Sequence, residues 1–411
     1  MLKKNTYQSL QQAIILVGGL GTRLGELTKS TPKPLLPVGG TPFLDYLLFD
    51  LARQGIKSII LAARFQAPQI DQYILTSPVI KRFGLTVTLS VEPSQAGTGG
   101  ALYHARDQLE ERFLLLNGDS VVDVNVLALA QVDAEALGTL SVYPVADASR
   151  YGTIEVVAGK IAVFNSRPNV TGPGVVNAGV YVFSKSIIDH LKPECSLEQD
   201  VLPQLAADGE LAVFETSGFF LDIGMPESYA FAQTAMPRRQ RKPAVFFDRD
   251  GVLNHDHGHV GSADRFEWMA GACETIRLLN DQGYYVFVVT NQAGVARGRY
   301  TEADVLALHQ HMQQELAVMG AHIDDFRYCP FHPEAVVEVY RKNSEWRKPR
   351  PGMVLDLIAQ WPIDVNASVL IGDQPTDIEA AKAASVKGLQ FDGSDLLKFW
   401  QTYKSERTRT T

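Results

Sequence analysis

The sequence predicts an α/β protein made of two consecutive three-layer domains, and three observations carry that expectation. The chain has 411 residues, more than one ordinary core organises. Short apolar runs alternate along its whole length with stretches of helical apolar spacing, which favours largely parallel sheets covered by helices. Composition then breaks at 236–243, MPRRQRKP, a basic stretch bracketed by prolines and without apolar periodicity, and a fresh apolar run begins at Ala244. The expected division is a polar extension over 1–12, a domain over 13–235, a linker over 236–243, a domain over 244–400 and a polar, frayed tail over 401–411.

In the first domain the runs at 13–17, 58–62, 85–91 and 113–116 read as strands and 43–54 as a helix. In the second, 244–247, 285–289 and 368–371 read as strands, and 275–282 and 302–319 as helices. No fixed-period repeat or low-complexity tract interrupts this order. Hydrophobic residues make up 45% and charged residues 20%, a globular composition. No apolar run has the length that crosses a bilayer, and residues 1–12 lack the apolar stretch of a signal peptide. Three widely spaced cysteines, Cys195, Cys273 and Cys329, give no disulfide framework and fit a reducing cytoplasm. With 38 Lys and Arg against 46 Asp and Glu, the formal charge of -8 argues against a general nucleic-acid binder. It leaves room for phosphate chemistry at a local basic site with a metal ion.

The first strand runs straight into Gly18-Gly19-Leu20-Gly21-Thr22-Arg23. Glycines after a strand let backbone N–H groups approach a phosphate, and Arg23 adds a planar contact, although a plain tight turn has the same composition. The loop is neither a Walker A loop nor a dinucleotide fingerprint. Lys33 follows, held between Pro32 and Pro34, and Gly97-Thr98-Gly99-Gly100 again permits close backbone approach to a ligand. Asp119 ends the strand at 113–116, where open α/β sheets bind ligands, and Asp222 supplies a second acid. Two carboxylates on one Mg²⁺ that also touches phosphate oxygens suit nucleotidyl transfer; each aspartate alone could equally be a cap or turn residue.

In the second domain the strand at 244–247 leads into Asp248-Arg249-Asp250. Aspartates two apart at a strand end share a side, so one can attack phosphorus while the other handles the leaving group's proton. A bare Asp-x-Asp is often a turn. Here it is joined by Thr290, Asn291 and Gln292 at the next strand end, the cations Arg347 and Lys348, and Asp373 with Asp377 four residues on.

The motifs GGLGTRL, PKP, GTGG, LNGD, NAG (177–179) and FLDIG, in that order over residues 12–235, resemble the sugar-1-phosphate nucleotidyltransferases. SRYGTIEV and FFLDIGMPESY are most similar to the branch that guanylylates D-glycero-D-manno-heptose 1-phosphate. The resemblance implies a Rossmann-like nucleotidyltransferase fold in which Gly18, Gly19, Gly21, Thr22 and Arg23 cradle the triphosphate and Lys33 neutralises the reacting α-phosphate. Gly97, Thr98 and Gly99 would lie by the base, Asn177 would face the sugar, and Asp119 and Asp222 would hold Mg²⁺. Ser166-Arg167-Pro168 stands where many relatives have Glu-Lys-Pro, so Arg167 would replace the lysine that meets the sugar phosphate. No hexapeptide-repeat acetyltransferase domain of the kind some relatives carry is expected.

The order DxD, Thr, Lys, GDxxxD over about 243–395 resembles the haloacid-dehalogenase-like phosphatases, with DRDGVLNHDHGHV, TNQAGVARG and RKPRPGM pointing to the heptose bisphosphate and histidinol-phosphate branch. It implies Asp248 as the nucleophile that becomes aspartyl-phosphate and Asp250 as general acid/base. Thr290 and Lys348 would hold the phosphoryl group. Mg²⁺ would sit on Asp248, the Asp250 carbonyl and Asp373. Asp256, His257, His259, Asn291, Gln292 and Arg347 would contact substrate. Forty residues separate Asp250 from Thr290 and 58 separate Thr290 from Lys348, too few for a large cap. The zinc loop usual in that branch is incomplete, with Cys329 and a shifted His332 but Ser344-Glu345-Trp346 where two thiolates would stand, so no zinc is expected. Gln374 stands where relatives often have lysine beside the metal aspartate.

Together the resemblances imply a bifunctional cytoplasmic enzyme of heptose activation. Its phosphatase removes the C7 phosphate of D-glycero-D-manno-heptose 1,7-bisphosphate, the α-anomer by the guanylyl resemblance, and its transferase couples heptose 1-phosphate to GTP. Expected partners are heptose phosphates and GTP, with Mg²⁺ in both domains, no nucleic acid and no membrane. Three alternatives stand beside this: another sugar such as mannose 1-phosphate with a different phosphatase, an N-terminal sugar-nucleotide sensor, or a phosphate-binding scaffold without turnover.

Overall fold

The computed structural model describes residues 10–166 and 171–410, so Arg167 lies outside the described residues. The chain divides into two compact units between Arg239 and Gln240.

In the first unit β1 (Gln12–Leu16) is followed by α1 (Phe43–Arg53), β2 (Ser58–Ala63), β3 (Thr86–Val91), α2 (Gly97–Ala105), β4 (Arg112–Asn117) and β5 (Ser120–Val122). β6 (Gly138–Val145), β7 (Ile154–Val157), β8 (Lys160–Phe164), β9 (Gly174–Ser184), β10 (Leu211–Glu215), β11 (Phe220–Asp222) and α3 (Pro226–Gln240) complete it. Among the described residues the main sheet has nine strands in the order β3-β2-β1-β4-β9-β6-β10-β8-β7. β1, β2 and β4 are nearly continuous apolar runs because helices cover both faces, the pattern of a buried parallel sheet. The sheet is nevertheless mixed: β9 runs antiparallel to both β4 and β6. Apolar alternation carries no strand direction, and the parallel expectation holds for β3-β2-β1-β4 and for the β6–β10 pair.

The second unit holds β12 (Ala244–Phe247), α4 (Ala272–Asp281), β13 (Tyr285–Asn291), α5 (Glu302–Val318), β14 (Asp325–Cys329), β15 (Val369–Gly372), α6 (Pro375–Ala383), β16 (Lys387–Gln390) and α7 (Leu396–Thr410). Its sheet is parallel throughout, in the order β14-β13-β12-β15-β16. Thr301 caps α5 by a reciprocal bond with Asp304. Three strands, β12, β13 and β15, end side by side, and their C-terminal ends carry Asp248, Thr290 and Asp373.

Three boundaries differ from expectation. Leu10 is buried and Gln12 already belongs to β1. The basic stretch read as a linker is helical to Gln240, with Met236 fully buried and the Arg239 guanidinium between Asp50 (2.6 Å) and Asp123 (2.8 Å). Helical basic residues paired with distant acids look like a linker when only neighbours in sequence are compared. The tail, expected to fray, continues α7: Leu396, Trp400 and Tyr403 form an i, i+4, i+7 stripe, with Trp400 1% exposed and Lys404 donating to the Tyr284 hydroxyl at 2.8 Å.

Candidate active sites

In the first unit the loop after β1 lines a cleft of about 540 Å³ with Gly18, Gly19, Gly21, Thr22, Arg23, Lys33, Arg64, Glu92, Thr98 and Asp119. Gly21 has φ +62, and a Cβ there would stand 2.9 Å from the Thr28 methyl, so both backbone and space require glycine. The turn is held by Thr28 Oγ1 donating to the Gly21 carbonyl at 2.9 Å. Lys33 is buried, and its Nζ lies 2.6 Å from Asp119 Oδ2 and 3.6 Å from Asp222 Oδ1. The antiparallel pairing of β11 with β5 sets Asp222 opposite Ser120 and so beside Asp119. Burial raises the Asp222 carboxyl above its ordinary range and the Asp119 charge adds to this, while Lys33, the Gly224 N–H and Arg23 oppose it. A Cβ on Gly224 would meet Asp222, Lys33 and Arg23 at 2.8, 2.9 and 3.1 Å, so these three converge on one point.

A second cleft, about 570 Å³, opens from the same groups and is lined by Arg23, Asn117, Arg150, Tyr151, Ser166, Asn177, Glu198 and Asp222. Asn177 sits at a register shift in β9; its Nδ2 donates to the Tyr181 hydroxyl at 2.6 Å and its Oδ1 accepts from Gly179 N. Gly179 has φ +77 and leaves room for Asn117, whose Nδ2 a Cβ would approach to 2.7 Å.

Gly97 and Thr98 of the Gly97–Gly100 segment line the first cleft, and the segment's glycines also serve packing. The segment is the first turn of α2: a Cβ on Gly97 would meet Cys195 O at 2.5 Å, one on Gly99 Cys195 Sγ at 2.6 Å, and one on Gly100 Pro193 O at 2.6 Å. Gly99 and Gly100 donate their N–H groups to Cys195 O. Thr98 faces both the cleft and Glu198, donating to Glu198 Oε2 at 2.6 Å. Glu198 lies on the π-helical turn Leu197–Val201 and lines the second cleft, yet sequence reading passed over it, because its partner is 100 residues away. Arg64, Glu92 and Arg150 also line these clefts, and sequence reading did not single them out.

In the second unit Asp248 continues β12, its N–H bonded to Ile371 O. Its Oδ1 lies 2.8 Å from Lys348 Nζ, which also meets Asp377 Oδ1 at 2.6 Å, and Lys348 and Asp377 are 3% and 1% exposed. Burial above all pushes the Asp248 carboxyl up to about 7; Lys348 pulls it down and the charges of Asp377 and Asp250 push it up. One oxygen each of Asp248, Asp373 and Asp377 lies within 4.8 Å of the others. Asp373 Oδ2 accepts from Gln374 Nε2 at 2.6 Å, whereas its buried Oδ1 has no hydrogen-bond partner. An all-oxygen donor set with an orphaned carboxylate oxygen fits a hard cation such as Mg²⁺. Asp377, singled out by spacing but given no role, joins this cluster.

The Asp250 carboxylate is held by a network of its own. It accepts from Arg249 Nε and Nη2, from Asn254 Nδ2 at 3.0 Å and from Gln292 Nε2 at 2.9 Å. The strand ends at Phe247, so the two-residue alternation does not extend to Asp250. Arg249, the unremarked middle of Asp-x-Asp, is fully buried here. Gln292 also donates to Thr290 Oγ1 at 2.8 Å, leaving the Thr290 hydroxyl proton for another acceptor. Asn291 does not face outward: its amide pairs reciprocally with the backbone of Lys348 at 3.2 and 3.0 Å, fixing that lysine's place. Gln292 is fully buried. Of the loop residues, Asp256 accepts from Gly258 N, His257 meets Glu267 at 3.3 Å, and His259, at φ +57, meets Arg297 at 3.3 Å. Arg347 donates to Phe331 O at 3.5 Å. Cys329 ends β14 and is buried, and His332 Nδ1 accepts from Glu334 N at 3.0 Å.

Residues 12–239, more than half the chain, match the family model described as Nucleotidyl transferase. The chain belongs to the nucleotidyl transferase family. Its first unit is similar to the crystal structure of HddC from Yersinia pseudotuberculosis, at 30% identity and a TM-score of 0.50, covering 55% of this chain and 100% of that one. The same protein complexed with GMP-PN gives the same figures. Residues 243–399 match the model described as Polynucleotide kinase 3 phosphatase. Over 156 residues the chain is 53% identical to a D-glycero-beta-D-manno-heptose-1,7-bisphosphate 7-phosphatase from Rhodopseudomonas palustris, spanning 38% of this chain and 87% of that one. This places the second unit in that phosphatase family, so the nucleotidyl transferase also carries a phosphatase and is a bifunctional enzyme. Both families typically use Mg²⁺. Among the described residues no helix is long and apolar enough to cross a membrane.

Proposed function

We propose that the phosphatase unit removes the C7 phosphate of D-glycero-D-manno-heptose 1,7-bisphosphate and that the nucleotidyl transferase unit converts the heptose 1-phosphate so formed, with GTP, to GDP-heptose and pyrophosphate. The observation that carries the reading is the union in one chain of a unit 53% identical to a heptose-bisphosphate 7-phosphatase and a unit similar to HddC, a protein solved with GMP-PN. The guanylyl resemblance favours the α-anomer, whereas the phosphatase relative is named for the β-anomer.

In the phosphatase, an Asp248 oxygen attacks the C7 phosphorus and the bond from phosphorus to the sugar oxygen breaks, giving an aspartyl-phosphate and an alcohol that Asp250 protonates. Water then attacks that phosphorus, Asp250 takes its proton, and inorganic phosphate leaves. Lys348 and Thr290 hold phosphoryl oxygens, Asn291 positions Lys348, and Gln292 with Arg249 fixes the Asp250 carboxylate. Asp248, Asp373 and Asp377, with the Asp250 carbonyl, would hold Mg²⁺, which when bound neutralises phosphoryl charge.

In the transferase, an oxygen of the sugar phosphate attacks the α-phosphorus of GTP and the α–β bridging bond breaks, releasing pyrophosphate. The Gly18–Arg23 loop binds the triphosphate, Lys33 offsets charge at the α-phosphate, and Asn177 with Glu198 orients the sugar. Asp119 and Asp222 would hold Mg²⁺, which would relieve the burial of Asp222 and its repulsion by the Asp119 charge.

The test is incubation with each anomer of the bisphosphate, Mg²⁺ and equal GTP and ATP, read by mass spectrometry. GDP-heptose with one released phosphate per sugar is expected. If neither anomer is consumed, the sugar assignment is wrong.

A further inference from the structure

Gln292 is fully buried, and both ends of its amide are in use. Nε2 donates to Asp250 Oδ2 at 2.9 Å and to Thr290 Oγ1 at 2.8 Å. Oε1 accepts from Arg249 Nη2 at 3.2 Å and from the Tyr300 hydroxyl at 2.6 Å. An amide offers two donors and two lone pairs, so this one is fully engaged. Turned end for end, it would set its oxygen against the Asp250 carboxylate and its NH₂ against the guanidinium, pairings that burial makes costly.

Two groups therefore decide how Gln292 stands, and they are unequal. Arg249 Nη2 is shared with both Asp250 oxygens, at 2.9 and 3.0 Å, and with Val260 O at 2.5 Å, so its bond to Gln292 is the longest of its set. The Tyr300 bond is the shorter of the two, and its ring is closely seated. A Cβ on Gly261 would collide with the base of that ring and one on Gly294 with its hydroxyl end, so backbone lies flush against it along its length. Burial pushes the Tyr300 hydroxyl up to about 12, against the pull of Arg249, so it keeps its proton and donates at neutral pH.

We propose that Tyr300 is a positioning residue for proton transfer in the phosphatase: its hydroxyl fixes the Gln292 amide, and that amide holds the Asp250 carboxyl in place for the leaving oxygen. The inference rests on the phosphatase reading above, in which the bond from phosphorus to the sugar oxygen breaks as the bond to Asp248 forms and the Asp250 proton passes to that oxygen. Without the hydroxyl, the amide oxygen is left on the shared Arg249 bond, while Asp248 keeps its own contact with Lys348. The loss therefore falls on the proton donor, and it matters most where the departing alcohol is a weak acid.

The experiment measures kcat/KM for the full chain and its Tyr300→Phe, Gln292→Met and double variants on heptose 1,7-bisphosphate, phenyl phosphate and p-nitrophenyl phosphate. This constant covers the steps through release of the alcohol, and the two aryl esters share a shape but differ in how far their leaving oxygen needs a proton. Tyr300→Phe is expected to lower it about tenfold for the heptose ester, less for phenyl phosphate, and at most about twofold for p-nitrophenyl phosphate. In the Gln292→Met background the same change should cost at most about twofold on any of the three. An equal loss on both aryl esters, or no loss at all, overturns the assignment, as does a tenfold loss that persists in the Gln292→Met background. If the aryl esters are hydrolysed and the bisphosphate is not, the sugar-bisphosphate reading fails, and the aryl pair alone decides the role of Tyr300.

Discussion

Lys348 Nζ lies 2.8 Å from Asp248 Oδ1, both groups buried, across 100 residues of sequence. The ammonium also holds Asp377, so one buried cation faces two buried carboxylates. Lys348→Met should abolish phosphate release and cost about 3 kcal/mol or more of stability, because two buried acids lose their partner. Asp248→Asn, which keeps the shape, should lower phosphate release by roughly 10³-fold or more while GDP-sugar formation from supplied heptose 1-phosphate persists. Loss of both activities in Asp248→Asn would contradict the separate assignment of the two sites.

At the transferase site, Lys33 bridges Asp119 and Asp222. Asp119→Asn should reduce GDP-sugar formation by about 10²-fold or more and raise the Mg²⁺ concentration needed for half-maximal rate, with phosphate release retained. A transferase rate indifferent to this change would favour the sensor reading.

His309 is a buried, uncharged imidazole stacked on Phe326, ring centres 4.4 Å apart, and among the described residues neither nitrogen has a hydrogen-bond partner. Burial, with the Arg249 charge adding to it, lowers its pKa from 6.5 to about 3. The unfolded chain takes up that proton near pH 6.5 and the folded chain does not, so stability falls as pH drops below about 6.5 and continues to fall toward 3. The loss reaches about 2 kcal/mol by pH 5. His309→Phe should remove this component; chemical denaturation of both proteins at pH 7 and pH 5 would show it as a smaller acid loss in the variant.

Arg239 neutralises Asp50 and Asp123 from inside helix α3. Arg239→Met should destabilise the first unit by about 3 kcal/mol, measured as a shift of the denaturant midpoint for loss of transferase activity. A freely solvated linker residue would produce no shift.

Gly97, at φ +76 and with Cys195 O where a Cβ would go, should not tolerate alanine. Gly97→Ala is expected to lower the transferase melting temperature, at a cost of about 2 kcal/mol or more, read by thermal inactivation of GDP-sugar formation.

The sequence by itself determined what is local. Apolar runs such as Ala244–Phe247 mark strands because burial on both faces demands continuous hydrophobicity, and strand ends place Asp248, Thr290 and Asp373 on one edge. Glycines and short motifs identified both chemistries for the same reason: each constraint is met within a few residues. Tertiary structure decided what depends on partners far along the chain. Lys33 bridges Asp119 and Asp222 through the β11–β5 pairing, Glu198 reaches Thr98 across 100 residues, and Asn291 pairs with the backbone of Lys348. Gly97–Gly100 packs against Cys195 and Pro193, and the basic stretch at 236–240 is helical because Asp50 and Asp123 receive Arg239. A charge or a glycine has the same local signature whether it meets solvent, ligand or a remote backbone, and only the folded chain supplies the neighbour that decides which.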